Sequence, residues 1–302
     1  DRLKIRTRLR YHYSSLNPRV MHAEARQILM TSSKSFGEEW ARTEGVVSKF
    51  IVEDINVFIH SNDPLNIGQS GRAIQKINDA LRVHTHVQLQ PHFISPNSAT
   101  PPNRWAEEKG IHLYFGSEGC MWKVFDEQAG VSKEDIAPSA TFNFKNLGGI
   151  TLTQELVLDG IKTGRLQRSL VVILNLPDPV FKQNVIEHEL MHALGVKGHT
   201  RSILWSRMSQ ETGSVAPLPF LSSFDRQILK LLYSKLSAGD SAARVTEVLE
   251  KEWESTDIRA MIDADKCLDD VGRRQNDGET IEGVELLTSI VCDMGIRITK
   301  RN

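Results

Sequence analysis

Residues 188 to 199 read HELMHALGVKGH. On a helix, His188 and His192 stand four residues apart, one turn above the other on one face, so both imidazoles can reach a single ion. Glu189 follows the first histidine and lies beside the ion rather than on it, placed to take a proton from a water activated there. Zinc brings the pKa of such a water towards about 7 and polarises an approaching carbonyl, and together these hydrolyse an amide. Gly195 lets the chain leave the helix through a positive φ, after which His199 can swing back as a third ligand. Three imidazoles leave a fourth position for water, as a catalytic zinc site requires. The expected site is therefore one Zn2+ on His188, His192 and His199, with Glu189 as general base.

Two rival readings keep part of this pattern. A downstream carboxylate, Glu211 or Asp225, could replace His199 as third ligand in a thermolysin-like arrangement, although Gly195 and His199 speak against it. Alternatively, the metal could stabilise a non-catalytic binding or assembly module. A purely structural zinc gains nothing from the general base that Glu189 offers. His84 and His86 alternate at a strand start without a nearby third ligand and read as a solvated pair, His60, His92 and His112 as lone strand or loop residues, and Tyr233 as core.

The elements that must position these groups follow from periodicity. Ile51, Ile55, Val57 and Ile59 alternate through FIVEDINVFIH as a strand; Ala73, Ile74, Ile77, Ala80 and Leu81 recur at helical spacing; VQLQPHFI alternates again. GIHLYFG is a short apolar strand bounded by glycines, and two further strands are expected at 140–144 and 169–176, the second as apolar as a strand covered on both faces. Pro177 and Pro179 close it, and 180–194 reads as the helix carrying the motif, ended by Gly195. Helices are expected over 223–236, capped by Ser222 or Ser223, and over 242–262. Upstream, a basic start (Arg2, Lys4, Arg6, Arg8, Arg10) precedes a helical stretch over 19–30 and reads as an arm.

Composition bounds the partners. With 302 residues, 40% hydrophobic and 25% charged, the chain can bury a core unaided. Lys+Arg at 37 against Asp+Glu at 38 gives a formal charge of -1, so no global basic field exists to hold a nucleic acid. The longest apolar run has a strand's length, which argues against a membrane span; it is the amide-hydrolysing chemistry of the motif that makes a protein or peptide the expected substrate. The chain opens on Asp1, which suggests a processed or trimmed product, and a secreted or periplasmic setting is expected on indirect grounds. Cys120, Cys267 and Cys292 cannot all pair within one chain; they read either as three reduced thiols or with a bridge between the last two, which would suit an exported protein.

The motif resembles that of the metzincin clan of zinc endopeptidases, HExxHxxGxxH, with His188, Glu189, His192 and Gly195 in register and the third histidine one residue late, Gly198 standing in the usual place. The chain is also similar to an uncharacterised bacterial family of metzincin-like domains, many of which carry Gln at the second His; here both His are kept. The resemblance covers roughly residues 47 to 236, where SSFDRQILKLLY looks like the clan's C-terminal helix. It implies an α+β fold, a mixed twisted sheet with an active-site helix and a C-terminal helical subdomain, in which substrate pairs with an edge strand such as HLYF (112–115) or TFNF (141–144). It also implies a methionine in a turn beneath the metal, a position that Met208 or Leu204 could fill. Three parts are expected: a basic and helical arm over 1–46, the peptidase domain over 47–236 and a helical extension with two cysteines over 237–302.

Overall fold

A computed structural model describes residues 17–30, 45–94, 108–132, 148–200, 202–203, 206–209, 221–253, 259–261, 263 and 265. Its elements in chain order are α1 (Pro18–Met30), β1 (Asp54–His60), α2 (Pro64–Arg82), β2 (Gln88–Ile94), β3 (Gly110–Gly116), α3 (Glu118–Ala129), β4 (Gly149–Leu158), β5 (Ile161–Leu174), α4 (Pro179–Ala193), α5 (Ser223–Ser234) and α6 (Ala242–Glu252). The protein is thus α+β around a five-stranded sheet of order β2-β1-β3-β5-β4, parallel except for β4, which runs antiparallel to β5 at one edge. Among the described residues, no helix is long and apolar enough to cross a membrane.

Strand and helix starts follow local chemistry. Ile55, Val57 and Ile59 alternate into the core of β1 as expected, whereas Ile51 lies before the strand and is exposed. Asp178 caps α4 by accepting from the N–H groups of Val180 and Phe181, with Pro179 in the first turn where its missing N–H costs nothing. Ser222, one of the two expected caps, forms a reciprocal capping box with Asp225 at the start of α5. The expected long helix after residue 242 runs to Glu252 as α6.

Three elements depart from expectation, the first being α3, which no helical pattern announces. β4 and the whole first half of β5 lie where no strand is expected, joined by Asp159 and Gly160, both at positive φ, in the two-residue turn that favours such a pair. Irregular register around Gln154, Glu155 and Val157 breaks the alternation that would have announced β4. HLYF is not an edge: β3 sits mid-sheet between β1 and β5, so the terminal strand beside α4 is β4. TFNF, Leu204, Glu211, Cys267 and Cys292 fall outside the described residues.

The main core lies between one sheet face (Ile55, Val57, Ile111, Leu113, Val171, Ile173) and helices α1, α2, α4, α5 and α6. The helix expected in an N-terminal arm belongs to this core, burying Met21, Ala25, Ile28 and Leu29, and so do Val245, Leu249 and Trp253 from beyond residue 236. The opposite sheet face carries a smaller cluster of Leu152, Leu170 and Val172 against Met121 and Phe125 of α3.

Candidate metal and catalytic site

The last turns of α4 bring His188 and His192 together, and the segment after Gly195 returns His199 to them. The three Nε2 atoms form a near-equilateral triangle with edges of 3.1, 3.2 and 3.2 Å. A tetrahedral site with metal–nitrogen bonds of about 2.0–2.1 Å has edges of about 3.3–3.4 Å, so the triangle has the size of one face of such a site. Among the described residues, these three are the one group of His, Cys, Asp or Glu side chains able to hold a metal ion. His192 is buried, while His188 and His199 are partly buried.

Backbone carbonyls fix the tautomers. His188 Nδ1 donates to Arg207 O at 2.5 Å and His192 Nδ1 donates to Val196 O at 2.7 Å, and a carbonyl can only accept. Each Nδ1 therefore carries the proton of a neutral imidazole, and each Nε2 presents a lone pair to its neighbours. Burial holds His188 in that neutral form, lowering its pKa to about 4, against the raising effect of the bond to Arg207 O. Lone pairs converging at about 3 Å repel unless a cation sits between them, so the donor set fits a metal ion.

The carbonyl that orients His188 is itself anchored. The Arg207 guanidinium pairs with buried Glu187, the residue before His188, at 2.5 Å, and Lys76 of α2 reaches the other carboxylate oxygen at 2.6 Å. Burial alone would raise the Glu187 pKa, but the charges of Arg207 and Lys76 outweigh it and keep the carboxylate ionised. Ser206 and the Arg207 N–H both donate to Asp225 of α5. Asp225, the alternative third ligand, is thereby committed to this turn and to its capping box with Ser222, and burial raises its pKa. Met208 follows in the same turn, fully buried, its carbonyl accepting from the N–H of Thr200 next to His199.

Glu189 is buried beside β4, where the Thr151 hydroxyl lies 2.7 Å from Oε2 and 3.1 Å from the Glu189 carbonyl. Thr151 is a residue of this site that sequence reading missed, because the strand bearing it was itself not expected. Gly149, two residues earlier, leaves room for the Glu189 side chain: a Cβ there would stand 2.9 Å from Glu189 Cγ. Tyr233 is core, its hydroxyl donating to Leu194 O at the end of α4.

Gly195 is where the helix must stop. Its φ is +108°, and a Cβ would lie 1.9 Å from the carbonyl oxygen of Ser48. Gly195→Ala is expected to cost more than the roughly 1 kcal/mol of an ordinary misplaced glycine substitution, since a backbone collision adds to the unfavourable φ. Thermal unfolding of the metal-free protein measures it; an unchanged midpoint would contradict this geometry.

The strand histidines are not solitary. His60 and His112 meet on the sheet face away from α4, His60 Nε2 donating to His112 Nδ1 at 3.3 Å and His112 Nε2 donating to Glu108 O at 2.9 Å. His60 stacks on Tyr114, and His112 on Phe58. Burial and the neighbouring imidazole lower the His60 pKa to about 3; burial, joined by the charge of Arg168 and opposed by the bond to Glu108 O, lowers that of His112 to about 4. Both therefore bind protons more weakly folded than unfolded, where the pKa is about 6.5. Stability should be flat above pH 6.5 and fall as pH drops towards 4, by up to about 1.4 kcal/mol per unit for each histidine. Thermal midpoints of the metal-free protein from pH 8 to 4 should show that slope, and a His60→Gln, His112→Gln pair should make it shallower, leaving the share of His188, whose pKa burial also lowers to about 4. A slope equally steep in the double variant would refute the assignment.

Compared with protein-family models, the chain matches none, and no curated protein matches it.

Proposed function

We propose that the protein is a zinc-dependent endopeptidase of metzincin type. The observation that carries this reading is the convergence of three imidazole Nε2 atoms, two of them fixed as acceptors by backbone carbonyls, next to a buried glutamate that is not part of the triad. His188, His192 and His199 would hold the ion, which when bound acidifies water and polarises the scissile carbonyl.

The chain's own groups supply the rest. Glu189 accepts a proton from the attacking water and later passes it to the leaving amine, with Thr151 donating to Oε2 and so fixing which carboxylate oxygen is turned to β4. The residues Gly149 to Thr151 that meet Glu189 belong to the terminal strand of the sheet, where an extended peptide adds most simply by strand pairing. The neutral tautomers of His188 and His192 are retained through the cycle because their Nδ1–H groups keep donating to Arg207 O and Val196 O.

Digestion of an unbiased peptide library, with and without a chelator, tests the reading. Cleavage that is abolished by chelation and restored by zinc is the expected outcome. A metal-replete chain that cleaves nothing would overturn it in favour of a metal-containing binding or assembly module.

A further inference from the structure

We infer that α1, outside the segment that carries the motif, is a positioning element of the metal centre that sets the third ligand. The inference rests on the reading of the three histidines as metal ligands and is independent of peptide hydrolysis. Four contacts tie the end of α1 to the loop bearing His199. The carbonyl of Ile28 accepts from both Lys197 N, at 2.7 Å, and Gly198 N, at 2.9 Å. Gln27 Nε2 donates to the carbonyl of His199 itself at 3.0 Å. Beyond the ligand, Ser202 N donates to Oε1 of buried Glu24 at 3.2 Å. The last carbonyls of a helix have no partner within it, so the loop completes α1 while α1 fixes the loop.

The departure from the usual spacing follows from this contact. Where a ligand would stand one residue earlier, the chain has Gly198, and a Cβ at that position would lie 2.9 Å from Gln27 O and 3.2 Å from Ile28 Cα. No side chain can occupy the point at which the loop crosses α1. The crossing takes up Lys197 and Gly198, and the next residue, His199, is the first free to turn back to the triad. On the other side the loop is held by Lys197 Nζ donating to Val46 O at 2.6 Å and by the close approach of Gly195 to Ser48 O. The loop that bears His199 is thereby held from both sides, and Gln27 of α1 contacts His199 itself.

The test is metal affinity in the full chain, read by zinc competition and by the visible spectrum of the cobalt(II) form. Gln27→Ala should weaken zinc about tenfold and Gly198→Ala by about ten- to a hundredfold, the range for losing a group that orients a ligand. The cobalt bands should change in both. In a His199→Ala background, Gln27→Ala should cost no further affinity, because its effect passes through that ligand. Equal losses with and without His199 would show a merely structural role and overturn the proposal, as would unchanged affinity and spectra in both single variants. Gln27 is half-buried and its truncation leaves the core intact, so it reports even where Gly198→Ala fails to fold. A wild-type chain that binds neither zinc nor cobalt would instead refute the metal reading itself.

Discussion

Glu189→Gln should leave zinc content and the fold unchanged while turnover of any cleaved peptide falls by at least about a hundredfold, the lower end for loss of a general base. Glutamine keeps the size of the side chain and still offers an oxygen to the Thr151 hydroxyl at the position where Oε2 now accepts. Only the basic oxygen is lost. Because Glu189 is not one of the three converging groups, the metal-binding triangle is untouched, and the effect should lie in kcat more than in KM. Retained turnover at constant zinc content would sink the proposed mechanism. Thr151→Val adds a second measure: without the donor the carboxylate becomes more basic and less well oriented, so the pH–rate profile should move while Gln at 189 abolishes it.

The histidine pair and the glutamate are legible in the sequence because they lie on one helix, where spacing alone decides which side chains share a face. The cap of that helix at Asp178 and Pro179 and its end at Gly195 are local signals too. What surrounds the triad is not local. Arg207 reaches Glu187 across twenty residues, Gln27 reaches His199 across more than a hundred and seventy, and Thr151 meets Glu189 only because β4, paired antiparallel to β5 at the end of the sheet, packs against α4. Nothing in the residue types announces those meetings. β4 is hidden further by polar residues along it: Glu155 is buried, yet it accepts from Ser48, so its polarity marks a partner rather than solvent. The helix α3 escapes notice for the opposite reason, since only Met121 and Phe125 of its twelve residues are buried and the apolar stripe is narrow. The same gap explains why HLYF looks like an edge strand: register along one strand says nothing of its place in the order of the sheet.

His188→Ala should abolish stoichiometric zinc binding. Loss of a group that merely orients a ligand weakens a metal by about ten- to a hundredfold, and removal of the ligand itself should exceed that. Two Nε2 atoms would remain, 3.2 Å apart on His192 and His199, too few for a closed site and with the fixed tautomer retained at His192 alone. The consequence for stability depends on the metal. In the wild type, zinc at a hundred times its dissociation constant stabilises the folded state by about 2.7 kcal/mol, whereas the variant should gain almost nothing from the same addition. Without metal the comparison reverses in character: the substitution removes one of the two lone pairs fixed towards the centre but also the donation to Arg207 O, a loss of about 1–3 kcal/mol where no water replaces it. Unfolding midpoints of both proteins, with zinc and with chelator, separate the two contributions, because only the zinc-dependent difference reports ligation. Full zinc occupancy in His188→Ala would show that the three nitrogens do not form the site. If His188→Ala emptied the site but His199→Ala left both occupancy and turnover intact, the helical pair would stand and the third ligand would have to come from elsewhere in the chain.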